Sequence, residues 1–128
     1  MAERRRVPTQ APWTGEVGYS RAVRVGDTVY VSGTAPVDEQ GAIAFPGDAY
    51  RQAKRSLEII VDALAEAGAR PEHVVRTRIF VRDSSLWRDV GRAHQEVLGH
   101  AKPATTLVQV SGFIDPEILV EIEAVAVV

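Results

Sequence analysis

Apolar and polar positions alternate most sharply near the end of the chain. From residue 119 to 126, Leu119, Glu121 and Glu123 fall on one side of a two-residue repeat, and Val120, Ile122, Ala124 and Ala126 on the other. That is the pattern of a strand with one buried face. Upstream, Pro103-Ala104-Thr105-Thr106-Leu107-Val108 is also β-prone, and Gly112, Asp115 and Pro116 interrupt the two runs. Residues 103–126 therefore read as two strands around a turn. An earlier hairpin is signalled by residues 19–25 and 28–33, which flank Gly26-Asp27. Residues 74–82 alternate too, with Val75, Thr77, Ile79 and Val81 on an apolar face and Arg76, Arg78, Phe80 and Arg82 on the other. Three arginines cannot all enter a dry core, so that second face must meet water, acidic partners or another subunit.

Helical spacing takes over in two places. Ala53, Leu57, Ile60, Val61 and Leu64 recur on one stripe after Asp48, a plausible N-cap, and Gly68 followed by Pro71 supplies the stop. A second helix is predicted from about Leu86 to Leu98, capped through Asp83-Ser84-Ser85 and ended by Gly99. Its core stripe is Leu86, Val90, Ala93 and Val97, flanked by a row of Trp87, Gly91, His94 and Leu98. Residues 35–46 read as a loop with a short edge pairing around Ile43. Residues 1–18, with Pro8, Pro12 and Gly15, read as an extended arm without regular structure, in which Trp13 pins the arm to the domain or to a neighbouring subunit. The order β-β-α-β-α-β-β over residues 19–128 predicts a single-domain α+β sandwich, a mixed sheet covered on one face by two helices. The other face, with Arg78 and Phe80, is left needing cover.

Composition narrows this picture without redirecting it. A chain of 128 residues suits one core, and 45% hydrophobic with 25% charged residues is ordinary for a soluble globular protein. A net charge of −2 offers no general attraction to nucleic acid or anionic membranes, and Arg4-Arg5-Arg6 is the one basic run. No apolar stretch approaches a membrane span and no apolar signal core opens the chain, which points to a cytoplasmic protein. The absence of cysteine excludes disulfides, a thiol nucleophile and thiolate metal sites. His73, His94 and His100 lack ligand spacing, so no metal is expected, and no serine has the context of a catalytic triad.

The two strand-like runs of residues 103–126 closely resemble the signature of the RidA family, also called YjgF/YER057c/UK114, with its Pro-Ala-Arg-Ser-like entry and apolar-Glu-Ile-Glu-Ala exit. Tyr19-Ser20-Arg21-Ala22 is similar to the family's Tyr-Ser-x-Ala, and Val29-Tyr30-Val31-Ser32-Gly33 to its Val-x-x-Ser-Gly. The resemblance implies a chorismate-mutase-like fold and a homotrimer with binding clefts between subunits. It also implies hydrolysis without cofactor of a reactive imine derived from an enamine, to ammonia and a 2-keto acid. By position, Glu121 falls where the family's catalytic acid or base stands, Tyr19 lines the cleft, and Ser32, Gly33 and Thr34 line it through backbone and small side chains. Thr105 stands where the family has its carboxylate-clamping arginine. Threonine carries no charge and one short hydroxyl, so the scope of substrates is expected to shift.

Each of these residues also has a plainer reading. Arg78 is the candidate replacement cation, or an ordinary ion-pair arginine; Thr105 and Thr106 are a hydroxyl pair for substrate, or β residues. Trp87 is a candidate substrate contact, and His94, which shares its helical row, is a residue to watch or a satisfied boundary histidine. Glu121 is the acid or base, or an intersubunit ion-pair partner. At the level of function, a hydrolase or deaminase acting on a small imine, enamine or related metabolite stands against a non-catalytic trimer that binds a metabolite or partner through the same cleft. Ribonuclease activity, described for some members of the family, sits poorly with the charge balance.

Overall fold

The computed structural model describes residues 3–128. Six strands form one sheet: β1 (Arg4–Val7), β2 (Ala22–Val25), β3 (Thr28–Thr34), β4 (Val74–Val81), β5 (Ala104–Gln109) and β6 (Val120–Val127). Their spatial order is β1-β2-β3-β6-β4-β5, with β4 and β5 parallel and every other neighbouring pair antiparallel. Two long helices, α2 (Ala49–Glu66) and α3 (Trp87–Leu98), cover one face, and a single turn of helix, α1 (Thr14–Val17), follows β1. The predicted α+β sandwich is what the chain forms.

Local signals act as expected in α2, whereas Asp83 caps only the short turn before α3, which itself has no side-chain N-cap, and Gly99 ends α3 at φ −60° and not as a left-handed stop. The Asp48 carboxylate accepts from the Arg51 amide at 2.9 Å, and Gly68 adopts φ 81°, letting the Ala69 amide reach back to the Leu64 carbonyl at 2.8 Å. Arg24 reaches across from β2 to the free Ala67 carbonyl at 2.8 Å, placing a cation at the negative end of α2. The stripes of α2 (Leu57, Ile60, Leu64) and α3 (Val90, Ala93, Leu98) bury against Val29 and Val31 of β3, Ile79 and Val81 of β4, and Ile122, Ala124 and Ala126 of β6.

Three further expectations need correcting. The predicted arm of residues 1–18, of which 3–18 are described, is not devoid of regular structure: β1 pairs with β2, Val7 is 5% exposed, and α1 turns the chain back. Their arginine run hid the strand, because an edge strand facing water keeps no apolar alternation. Next, the two runs of residues 103–126 are not a hairpin: β5 lies parallel to β4 at the sheet edge, whereas β6 crosses over to sit between β3 and β4. Finally, a bulge between Val74 and Arg76 shifts the phase of β4, so Val74 takes the core position expected of Val75, which is 46% exposed. The hairpin at Gly26-Asp27 and the bridge at Ile43, paired with Val37, form as read.

The loop from β5 to β6 is anchored by two side chains. Gln52, fully buried on α2, donates to the Glu117 carbonyl at 2.9 Å and accepts from the Leu119 amide at 2.8 Å. Arg82 donates to the carbonyls of Ile118 and Asp115 at 2.9 and 3.2 Å, and its guanidinium lies over the Phe113 ring. Gln52→Leu strands a backbone donor and acceptor at once, and should lower unfolding free energy by about 2 to 4 kcal/mol in urea titrations. A loss under about 0.5 kcal/mol would mean the loop does not depend on this amide.

Candidate functional site

Antiparallel pairing determines which residues share a face. Phe80 lies opposite Glu121 and Arg78 opposite Glu123, so these point to the open face of the sheet, while Ile79, Ile122, Thr77 and Ala124 point to the helices. On β3 the register slips between Val31 and Thr34, so Ser32 and Gly33 together oppose a single residue of β6. This bulge returns Thr34 to the buried side, at 1% exposure, and brings Gly33 against the Glu121 carboxylate. A methyl group on Gly33 would come 2.6 Å from Glu121 Oε1, so any larger residue there would displace the carboxylate from its present position.

Around this point opens a cleft of about 450 Å³, lined by Trp13, Val17, Tyr19, Ser32, Gly33, Gly112, Phe113, Ile114 and Glu121. Three separate parts of the chain meet there: the turn of α1, the β3 bulge, and β6 with the loop that leads into it. Burial holds the Glu121 carboxyl above the usual carboxylate range; Arg21 offsets part of that rise and Glu123 adds to it. That shift favours the protonated form relative to an exposed carboxyl, the direction that suits a group asked to donate a proton.

Arg21 is the residue that sequence reasoning passed over. It occupies the unspecified position of Tyr-Ser-x-Ala, and its side chain is among the most buried of the polar groups, at 5% exposure. One terminal nitrogen donates to Ser32 Oγ at 2.8 Å, the Gly33 carbonyl at 2.9 Å and Thr34 Oγ1 at 2.9 Å; the other reaches Thr9 Oγ1 at 3.0 Å and Tyr19 Oη at 3.2 Å. The Trp13 indole N–H donates to the same Tyr19 oxygen at 2.7 Å. Burial pulls the guanidinium below its ordinary value, while Tyr19 and Glu121 act in the opposite direction. The only sequence signal was a charged residue directly before buried Ala22, which composition and periodicity both assign to solvent.

The predicted site residues divide into separate places within the chain. Tyr19, Ser32, Gly33 and Glu121 converge on the cleft, with Thr34 directly behind it through Arg21. Arg78 instead pairs with Glu123 at 3.0 Å in a shallow depression with Tyr30, Arg76 and Val125, as its plainer reading expected. Thr106 is level with Arg78 on β5 and exposed. Thr105 lies on the opposite side of the sheet, where its hydroxyl meets Thr77 Oγ1 at 2.8 Å and donates to the Pro103 carbonyl at 3.1 Å. Thr77, fully buried, in turn meets His94 Nε2 at 2.9 Å, and burial lowers the pKa of that imidazole. Trp87 is 51% exposed, with the Arg88 guanidinium over its ring. Among the described residues, no group of three or more His, Asp or Glu side chains is placed to hold a metal ion, and no helix is long and apolar enough to cross a membrane.

A second pocket, of about 240 Å³, lies on the other side of Arg21 between residues 7–11, the 34–38 segment and α2. Arg21 is thus the partition between two hollows, and its hydrogen bonds hold the walls of both.

Comparison with known proteins places this geometry. The family model described as Endoribonuclease L-PSP matches residues 9–128. An uncharacterised protein of Streptomyces coelicolor is 42% identical over 123 residues, which cover 95% of this chain and 90% of the relative. The 3-aminoacrylate deaminase RutC of Acinetobacter baylyi is 36% identical over 108 residues, covering 84% of this chain and 85% of that enzyme. The crystal structure of Rv2704 from Mycobacterium tuberculosis, described as a member of the YjgF/YER057c/UK114 family, superposes with a TM-score of 0.88 at 42% identity, covering 98% of this chain and 100% of that one.

The raised pKa of Glu121 has a thermodynamic sign. A folded-state pKa above the unfolded value contributes stability that is present below the unfolded pKa and lost as pH rises through the folded one. Glu121→Gln should therefore melt at a higher temperature than the parent at pH 8, with the gain disappearing towards pH 4. An equal shift at both pH values would refute a buried, reluctantly ionised carboxyl.

Proposed function

We propose, for a chain that belongs to the Endoribonuclease L-PSP family, the YjgF/YER057c/UK114 proteins, that it is a hydrolytic deaminase. Its substrate is a small reactive imine, enamine or related metabolite. The observation that carries this reading is the meeting of Glu121, Tyr19, Ser32 and Gly33 in one cleft, with the carboxyl biased towards its protonated form. Identity to an enzyme named as a 3-aminoacrylate deaminase supports the reaction class.

The chemistry follows from a carboxyl that can both give and take a proton. Protonated Glu121 donates to the imine nitrogen as water attacks the C=N carbon, and the resulting carboxylate removes a proton from the attacking water. Collapse of the carbinolamine follows: Glu121 protonates the nitrogen a second time, the C–N bond breaks to release ammonia, and the carboxylate takes up the hydroxyl proton as the carbonyl forms. No redox step or group carrier is required.

The cleft is shallow within one chain, and a homotrimer completes it. Tyr30 and Val108 are 54% and 43% exposed on the uncovered face of the sheet, together with Phe80, Arg76 and Arg78. Closed threefold packing buries such a face without leaving a free edge. The β5 edge of a second copy then brings Thr105 towards Glu121 of the first. Thr105 offers no charge to a carboxylate there, and its hydroxyl is already engaged with Thr77 and Pro103. The substrate is accordingly one that does not depend on a carboxylate clamp.

Light scattering should report a mass three times 13.9 kDa; a monomer at micromolar concentration would sink the intersubunit cleft. Ammonia release from enzymatically generated 2-aminoacrylate should be slow in the parent and abolished in Glu121→Gln. It should be raised about tenfold or more in Thr105→Arg, since a hydrogen bond to a charged group contributes roughly 1.5 to 3 kcal/mol. If a bound metabolite is recovered unchanged and no imine is turned over by any variant, the protein is a binding trimer instead.

A further inference from the structure

We infer that Arg21 is the cation of the cleft, and that it acts on a bound ligand through the hydroxyl proton of Tyr19. The inference rests on the cleft described above and extends its chemistry to ligands that present an oxygen acceptor beside Glu121.

Proton counting around Tyr19 carries the argument. A phenol has one proton to give and two lone pairs to receive with. Both receiving positions are filled, by the Trp13 indole N–H at 2.7 Å and by an Arg21 N–H at 3.2 Å. Neither of those groups can accept a hydrogen bond, because indole nitrogen and guanidinium are donors only. The described residues give the Tyr19 proton no acceptor. Tyr19 lines the same cleft as Glu121. Its hydroxyl is therefore a donor left available to a ligand there, with a positive charge beside its oxygen. Hydrogen bonds in such a chain strengthen one another where water is excluded.

The charge itself has no other evident counterpart. None of the ion pairs among the described residues includes Arg21, and all five of its acceptors are neutral oxygens. Hydrogen bonding alone could be met by a neutral side chain, whereas a buried guanidinium keeps its charge at any physiological pH. Its electrostatic influence reaches Glu121, with Gly33 lying between the two: the Gly33 carbonyl accepts from Arg21, and its Cα faces the Glu121 carboxylate. Position 105 has no cation, and Arg78 is held by Glu123. Arg21 is thus a positioning residue that supplies positive potential from inside the domain instead of from the mouth of the cleft. Such an arrangement favours a carbonyl or carboxylate oxygen on Tyr19 without requiring a two-pronged clamp.

The test uses pyruvate as the oxygen-bearing probe and Trp13 fluorescence as the reporter, in a Trp87→Phe background so that one indole is read. Pyruvate should bind saturably to the full-length protein. Tyr19→Phe and Arg21→Gln should each weaken binding about tenfold, and the double variant should be no weaker than the worse single one, because both act through one proton. By carbon-detected NMR, Arg21→Gln should also move the Glu121 carboxyl titration to higher pH. Tyr19 and Ser32 share the cleft with that carboxyl, and Glu123, itself paired with Arg78, is the other charge that acts on it; all remain in place. Arg21→Lys, which retains the charge, should restore the titration.

Three results would overturn the inference. One is undiminished binding in a folded Tyr19→Phe protein, which requires no change at Arg21 and so remains decisive if Arg21→Gln fails to fold. Another is an unchanged Glu121 titration in folded Arg21→Gln. The third is absence of pyruvate binding by the parent at tens of millimolar. Binding that behaves as expected in a protein that turns over no imine would refute the deaminase reading and leave this one standing.

Discussion

One buried guanidinium ties this molecule together. Removing a charge from water is costly, and Arg21 meets that cost with five neutral acceptors in place of a carboxylate. Those acceptors come from three stretches: Thr9 in the segment after β1, Tyr19 just before β2, and Ser32, Gly33 and Thr34 at the end of β3. Its backbone joins the same stretches, with the Arg21 amide bonded to the Val7 carbonyl and the Ser32 amide to the Arg21 carbonyl. The start of the chain, the β3 bulge and the wall of the cleft are therefore one connected structure. A loss at any member leaves buried donors unmatched in the others.

The remaining walls of the cleft depend on how the sheet is threaded. Because β6 is inserted between β3 and β4, Glu121 stands beside Gly33 on one side and Phe80 on the other. Because Gln52 and Arg82 hold the carbonyls of residues 115–118, the loop before β6 presents Phe113 and Ile114 over the same opening. The site is thus assembled from rigid strands, with loop residues placed by buried polar anchors, which is how side chains are kept within reach of one small ligand.

Much of this was legible in the pattern of residues, and the failures share a cause. Amphipathic repeats are strong in α2, α3 and β6, since each buries one stripe and wets the other. Alternation says which way side chains point but not which strand is the neighbour, so β5 and β6 looked like a hairpin although they never pair. A single bulge reverses all alternation before it, which is why Val74 and Val75 exchanged roles. Motif resemblance found Tyr19, Ser32, Gly33 and Glu121 in one place. It passed over Arg21, because a buried arginine runs against the general tendency of charged side chains to stay in water. Only the three-dimensional arrangement of its acceptors makes that burial intelligible.

The threading of β6 also dictates the order in which the protein can be built. Until residues 120–127 emerge, β1–β3 and β4–β5 are two fragments with no shared strand, and Val31, Ile79 and the stripe of α2 face a gap where Ile122 and Ala124 belong. The last strand of the six to be synthesised is the one that joins them, so the decisive contacts span nearly the full domain and close late. Until β6 is in place the central seam stays open, leaving two unpaired strand edges and apolar surface that the finished sheet covers.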